Sequence, residues 1–259
     1  MITCKLIGPS SENNGLGNQM FCIAATASLA KDNNDTAVFP QLSQSGSTPY
    51  LDSLFSKLDN NDHDYSFAKY LSVELDIHTF NPIQYKDGMY LEGYWQSHKY
   101  FGHNRDLILN LFSIPEKHKA YIDSKYEFKK PTVAIHVRRG DYVDIPHAHP
   151  LCSLSYYNAA IENFKELDCA YMVFSDDLDW CKLNFPPSYT FVDESDYISL
   201  YMMSLCDHNI IANSSFSWWG AWLNTNDHKK VIYPKQWFGE MYPGDISDRI
   251  PSNWVGVGN

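Results

Sequence analysis

Two adjacent arginines lie within His136-Val137-Arg138-Arg139-Gly140-Asp141-Tyr142. A guanidinium is always charged, and its planar fork of N–H donors matches two phosphate oxygens at once. Gly140 permits close backbone approach, while Asp141 could orient one arginine or balance its charge. A solvated surface turn contains the same residue types, so position decides: the pair directly follows a predicted strand, where ligands of open α/β sheets sit. Asn213-Ser214-Ser215-Phe216-Ser217 stands where another predicted strand turns into a helix, so its N–H groups and hydroxyls could bind an anion or merely cap the helix. Asp176 and Asp177 end a third strand. They could meet a nucleobase edge, form a metal-binding D-x-D pattern through Asp177 and Asp179, or favour a helix N-terminus through its dipole. Paired arginines and a helix N-terminus stabilise a departing diphosphate without a cation, so no metal is expected.

Weaker signals surround these. Gly15-Leu16-Gly17-Asn18-Gln19 resembles half of a dinucleotide fingerprint but lacks the third glycine and an acidic ribose partner, and a glycine turn with a capping Asn explains it as well. His147 and His149 have no third metal ligand nearby and read as loop histidines. Trp218, Trp219 and Trp222 read first as packing, although such rings could also shape a sugar or base pocket.

The elements that must carry these groups follow from hydrophobic pattern. Val133, Ile135 and Val137 alternate with Thr132, Ala134 and His136 as a strand does, and residues 171–174, 189–192, 209–212 and 231–233 repeat the signal. Helical patterns at 155–167 and 197–206 separate them, which predicts a parallel sheet. In the N-terminal half, residues 2–7 and 89–95 read as strands. Residues 17–31 form a helix with Met20, Ile23, Ala24 and Ala27 on one face, and helix-like stretches follow at 97–112 and from Pro115. Residues 32–64 are rich in Asn, Asp, Ser and Gln and read as irregular. A composition shift at Lys129-Lys130-Pro131 divides the chain into 1–128 and 129–259. The expected architecture is α/β, with two Rossmann-like βαβ domains facing across a cleft and the polar clusters converging on one edge.

Composition narrows the function. At 259 residues, 44% hydrophobic and 20% charged, the chain can bury a core and is neither fibre nor disordered tail. Its 20 cationic and 31 anionic side chains give a net charge of −11, which disfavours nucleic acid and anionic membranes as partners. No run approaches the roughly 18 apolar residues of a membrane span, and no signal-peptide pattern opens the sequence, so a soluble cytoplasmic protein is expected. The six cysteines lack pairing or metal-ligand spacing and are expected to be reduced.

Together, residues 136–142, 15–20, Tyr94-Trp95-Gln96-Ser97, 174–177 and 213–219 resemble, in order and spacing, the motif series of the α-1,2-fucosyltransferases, glycosyltransferase family 11. Residues 152–157, 212–223 and 233–238 fit too, while 32–85 carry no quotable counterpart. The resemblance implies a GT-B type fold and inverting, metal-independent transfer of L-fucose. The donor substrate would be GDP-β-L-fucose, with no cofactor besides, and the acceptor the 2-hydroxyl of a terminal galactose in an oligosaccharide. By the same resemblance Arg138 contacts the diphosphate as the main catalytic group, with His136 beside the nucleotide. Asn18, between Gly17 and Gln19, lies on the phosphate side, and Asp176 faces guanine. Asn213, Ser214, Ser215 and Phe216 form a phosphate- and base-contacting turn. Arg139, Asp141, Trp95 and Gln96 match substrate-side motif positions. Asp144 and His147 follow the strand and are candidate general bases. Two other readings compete: a metal-dependent nucleotide-sugar transferase using Asp177 and Asp179, and a carbohydrate-binding protein in which Trp95, Trp218 and Trp222 grip a glycan while the arginines only form salt bridges.

Overall fold

Short apolar runs separated by helices build two parallel sheets, each in its own unit of this computed structural model. The structure describes residues 1–6, 15–43, 48–59, 65–128 and 130–258. The end of the expected first strand at Ile7, the polar loop through Asn14, and Lys129 of the composition shift lie outside the described residues.

The first unit comprises residues 1–118 and 245–251. Its strands β1 (Thr3–Cys4), β2 (Tyr70–Val73) and β3 (Met89–Glu92) form a parallel sheet in the order β1-β3-β2, with Thr3 and Leu71 both opposite Tyr90. Helix α1 (Leu16–Asp32) starts at Gly15 and is buried around most of its circumference, Phe21 and Cys22 as fully as Met20, Ile23 and Ala24. The single apolar face read from the sequence is thus part of a wider one. After the short α2 (Thr48–Leu51), the long helix expected at 97–112 is broken into 3₁₀ turns at His98–Tyr100 and Gly102–Asn104, and only Arg105–Leu111 is α-helical (α3). The cause is local: Ser97 Oγ accepts the Lys99 N–H at 3.2 Å, and Phe101 leaves helical geometry with φ −142°. Strand β2 gave no sequence signal because it is an edge strand with Leu71 61% exposed, so burial imposes no alternation on it. Helix α4 (Glu116–Lys125), following Pro115, carries the chain into the second unit, and the boundary read at 128/129 falls just beyond it.

Residues 119–244 and 252–259 make the second unit. Strands β4 (Thr132–Val137), β5 (Ala170–Ser175), β6 (Thr190–Val192), β7 (His208–Ile210), β8 (Val231–Pro234) and β9 (Val255–Val257) pair in parallel in the order β6-β5-β4-β7-β8-β9. Every residue of β4 is buried, as befits a central parallel strand covered on both sides. Val133, Ile135 and Val137 pack against Tyr156, Tyr157 and Ala160 of α5 (Leu154–Ile161) and Cys181 of α6 (Leu178–Asn184). Helix α7 (Asp196–Leu205) packs against α8 (Ser215–Leu223), whose tryptophans are interior: Trp218 is fully buried and meets Trp254 at 5.6 Å between ring centroids.

Polar groups pin the ends of this sheet. At the amino edge Asp207 accepts the Thr132 N–H at 2.8 Å. At the carboxyl edge the Tyr157 hydroxyl donates to His136 O at 3.2 Å and the Tyr156 hydroxyl to Ile211 O at 2.5 Å. Asn213 Nδ2 donates to Pro150 O and Trp237 O. Backbone carbonyls at and near the strand ends thereby receive side-chain donors. Among the described residues no helix is long and apolar enough to cross a membrane, and the six cysteines are free thiols.

Gly220 is where α8 comes closest to α7: an added Cβ would lie 2.8 Å from Met203 Cβ and 3.0 Å from its Cε. Gly220→Ala should therefore cost about 1–3 kcal/mol of stability by overpacking, against the ordinary gain of Ala over Gly in a helix. Urea unfolding of the variant measures this; a Gly220→Ala chain as stable as its parent would contradict the packing described.

Candidate active site

Because β5, β4 and β7 are parallel neighbours, the segments leaving them share one edge of the sheet. Three of the four polar clusters read from the sequence meet there. The fourth, Gly15 to Gln19, follows β1 in the sheet of the first unit, so the expected single edge is corrected to groups on two sheets.

Arg138 stands at the centre of the first group. Its Nη2 pairs with Asp141 Oδ1 at 2.5 Å and its Nη1 with Asp176 Oδ2 at 2.9 Å, while its guanidinium lies 5.3 Å from the Tyr142 ring centroid. The other Asp176 oxygen accepts the Arg139 backbone N–H at 2.9 Å. Gly140 leaves room for this carboxylate, since an added Cβ would fall 2.5 Å from Asp176 Oδ2 and displace it. The Arg139 guanidinium stacks 4.3 Å from the Trp180 ring centroid and its Nε donates to Asp177 Oδ2 at 3.0 Å, which holds that carboxyl below its usual range. Asp177 Oδ1 accepts the Trp180 N–H at 3.1 Å and caps α6. Both Asp177 oxygens are thus committed, whereas Asp179 is almost fully exposed beside Lys182. Among the described residues no set of three or more His, Cys, Asp or Glu groups has metal-binding geometry.

His136, the last but one residue of β4, is 5% exposed and tilts against Phe216 at 5.4 Å. Its Nδ1 is buried without a hydrogen-bond partner. Ser214 occupies the N-cap position of α8, but its side chain makes no capping bond; Ser215 and Phe216 open the helix, half-buried. Asn213 is an anchor in this structure, its amide on two backbone carbonyls and its Oδ1 3.5 Å from Cys152 Sγ.

The candidate bases lie in the turn beyond Arg139. Asp144 is exposed, and His147 Nδ1 is 2.8 Å from Glu240 Oε1, both side chains facing solvent. Backbone bonds Gly239 N–H to Ala148 O and Met241 N–H to His147 O, each 2.9 Å, tie this turn to the segment carrying Glu240. His149 stacks on Tyr142 at 4.7 Å.

In the first unit Gln96 Nε2 donates to Asn18 Oδ1 at 2.6 Å, and Arg249 Nη1 donates to Gln96 Oε1. Gly17, Gln19 and Trp95 are buried, the Trp95 ring packed edge-on to Tyr100 at 5.4 Å. Glu74 accepts the Tyr94 N–H at 2.7 Å and the Trp95 N–H at 3.0 Å, and burial pushes its carboxyl up. Arg249, Glu74 and Glu240 escaped the sequence reading because each lies far along the chain from its partners. Trp180 had a signal, an aromatic three residues after Asp177 in the first turn of a helix.

Burial, and secondarily the nearby Arg138 charge, lower the His136 pKa to about 3. In the unfolded chain it titrates near 6.5, so between roughly pH 6.5 and 3 the unfolded state binds one more proton there. Its contribution to stability therefore falls as pH drops through that window, by up to about 1.4 kcal/mol per pH unit. His136→Asn should lose stability less steeply between pH 6.5 and 4.5 than the parent in urea titrations; parallel slopes would contradict the buried neutral imidazole.

Residues 10–258 match the sequence profile described as Glycosyl transferase family 11. The chain is 38% identical over 173 residues to an O-antigen biosynthesis glycosyltransferase, WbnK, of Escherichia coli, covering 60% of this chain and 57% of that protein. It is 35% identical to an alpha-1,2-colitosyltransferase of Escherichia coli, covering 64% and 61%. It is 26% identical to galactoside 2-alpha-L-fucosyltransferase SEC1 of Bos taurus, covering 80% and 62%. The matches thus span about three-fifths of each relative's length. Fucosyltransferase NodZ from Bradyrhizobium shares the fold at 14% identity with a TM-score of 0.55, over 85% of this chain and 90% of that one. With a profile match that takes in the arginine pair, the Asp176 loop and the Ser214 turn, and an α/β fold of the GT-B type with parallel sheets, this chain belongs to glycosyl transferase family 11.

Proposed function

We propose that the chain is an inverting fucosyltransferase that moves L-fucose from GDP-β-L-fucose to the 2-hydroxyl of a terminal galactose in a glycan, without a metal ion. The observation that carries this reading is the Arg138 guanidinium at the tip of β4, held by Asp141 and Asp176 on partly solvated side chains next to a neutral His136. Membership of the family supports the glycosyl transfer. The bovine relative's name supports fucose and galactose, and the colitosyltransferase's name supports the α-1,2 linkage with a different sugar. A colitosyl donor is accordingly the second reading.

In the proposed reaction the bond between the anomeric carbon and the diphosphate breaks as the galactose 2-oxygen attacks from the opposite face. Negative charge grows on the diphosphate, so donors aimed at it stabilise the transition state more than the ground state. Arg138 supplies those donors by exchanging carboxylate partners for phosphate oxygens. Asp176 keeps lone pairs for a guanine edge beyond its two present bonds, and neutral His136 lies beside the nucleotide. Ser214, Ser215 and Phe216 line the same strand edge. His147, with Nδ1 on Glu240, keeps Nε2 for the acceptor proton, and Asp144 is the alternative base. The metal-dependent reading loses support because Asp177 spends its oxygens on Trp180 and Arg139. The glycan-binding reading loses support because Trp95, Trp218 and Trp222 are buried.

Arg138→Ala should lower turnover at least about a hundredfold, on the order of 3 kcal/mol, by analogy with lost oxyanion donors. Arg138→Lys should not restore it, because an ammonium lacks the planar fork. The assay is GDP-fucose turnover in EDTA with galactose-terminated acceptors, a GDP-colitose arm in parallel. An unchanged rate for folded Arg138→Ala would refute the catalytic assignment, and turnover that needs an added divalent cation would refute the metal-free one.

A further inference from the structure

The paired arginines at the tip of β4 leave the strand into unlike surroundings. Arg138 is partly solvated, with Asp141 and Asp176 as ion-pair partners and a wide 5.3 Å separation from the Tyr142 ring centroid. The Arg139 side chain is 20% exposed, and its guanidinium lies 4.3 Å from the Trp180 ring centroid. An indole is the best aromatic partner for a guanidinium, and the contact strengthens as water leaves it.

Trp180 is a fixed wall. Its ring is half-buried, packed on the core of the second unit and edge-on to Phe185 at 6.2 Å. Its N–H donates to Asp177 Oδ1 at 3.1 Å, so ring and carboxylate share the first turn of α6. Asp177 is itself held, its N–H donating to Ser175 Oγ at 2.9 Å. The Arg139 side chain is thus gripped edgewise by Asp177 Oδ2 at 3.0 Å and covered by the indole. Its main chain is held as well: the Arg139 N–H donates to Asp176 Oδ1 at 2.9 Å, and the Val143 N–H to Arg139 O at 3.0 Å.

Two ties therefore join the loop after β4 to the loop after β5, namely Arg138 to Asp176, and Arg139 to Asp177 and Trp180. In the proposed reaction the first tie opens, because Arg138 trades carboxylates for phosphate oxygens. The second must then keep the aim of the fork. Asp177 alone would be a weak tie, since an ion pair at a solvated edge can be traded in its turn. The indole raises the cost of that trade, because drawing Arg139 away would bare both the cation and the ring.

We propose that Trp180 is a positioning residue of the transfer reaction: by holding the Arg139 guanidinium, it keeps the two loops joined while Arg138 exchanges its partners for the diphosphate. The proposal rests on Arg138 binding a nucleotide sugar, as proposed above, and every residue it invokes belongs to the second unit. It makes Arg139 the post and Arg138 the moving fork.

Turnover and calorimetric titration with GDP test this, with thermal unfolding alongside. Trp180→Leu keeps an apolar side chain but no π face. Its kcat should fall about tenfold, the worth of one desolvated cation–π contact, with GDP affinity within about twofold of the parent, because a misaimed fork loses most in the transition state. A merely structural role predicts a lower Tm with kcat unchanged in the folded protein. Trp180→Phe should retain part of kcat, about a threefold loss, since a benzene face holds a cation less well; it decides if Trp180→Leu does not fold. In an Arg139→Met background Trp180→Leu should cost little further, as residues acting through one another are not additive. In nitrogen-edited NMR spectra of the parent, the Arg139 Nε–H signal should stay in place on addition of GDP while that of Arg138 moves. Parent-like kcat in both Trp180 variants, GDP affinity falling as far as kcat, additive losses, or an Arg139 signal that moves with Arg138 overturns the positioning role alone. A parent chain that neither binds GDP nor turns over its fucose or colitose conjugate overturns the proposed function with it.

Discussion

The constraint on which the candidate site depends is charge compensation at the tip of a buried strand. Two arginines in succession repel, and β4 delivers both to the same edge. Asp141, Asp176 and Asp177 offset them from the same loop and from the neighbouring one. Much of the local sequence follows. A side chain at residue 140 would push the Asp176 carboxylate away from Arg138, and Asp177 both caps α6 and faces Arg139. The pairs sit where solvent still reaches, with Arg138 34% and Asp176 27% exposed on their side chains. Ion pairs of that kind contribute little to stability, and for that reason they can be traded for a ligand's oxygens at small cost. A fully buried pair could not be opened so cheaply.

Such exchangeable side chains need a backbone that does not yield. The six-residue β4 is covered on both faces, and carbonyls at its end and at the end of β7 are held by Tyr157 and Tyr156 from α5. Asn213, between β7 and α8, is held by its amide to two loops at once. A constellation on rigid elements keeps its geometry when individual ion pairs open, which is what a site that exchanges partners requires. His136 belongs to the rigid part. Its imidazole is too buried to charge, so it adds polarity at the site without adding to the positive charge of its neighbours.

The strand-end clusters were legible because consecutive elements of an α/β sheet leave local periodic signals, and a parallel sheet sends its polar loops to one edge whatever its strand order. The order itself, with β4 between β5 and β7, was not legible, because the pairing partners lie far apart in sequence. Spacing alone left Asp177 and Asp179 open as a metal pair; hydrogen bonds separate them, since one is spent on a helix cap and an arginine and the other faces solvent. Strands β2 and β9 were missed, one an exposed edge and the other three residues long around a glycine. The return of 245–251 to the first unit depends on contacts about 150 residues apart in sequence, such as that of Ser97 Oγ with Asp248 O, and no local window encodes those.

The two units present polar groups of different kinds. In the second, charge dominates and direction is loose: guanidiniums with several donors face carboxylates with several lone pairs, and any of these can re-pair. In the first, direction dominates: Arg249 is buried and donates to Gln96, Gln96 donates to Asn18, and the left-handed bend at Trp95 is pinned by the Glu74 carboxylate. Charge attracts an anion without specifying its pose, whereas an oriented amide adds little attraction but admits only an acceptor in one place. The two kinds of specification follow from burial: the Arg138 and Asp176 side chains still meet solvent and can re-pair, whereas a buried guanidinium, which has donors only, fixes which end of the Gln96 amide faces it.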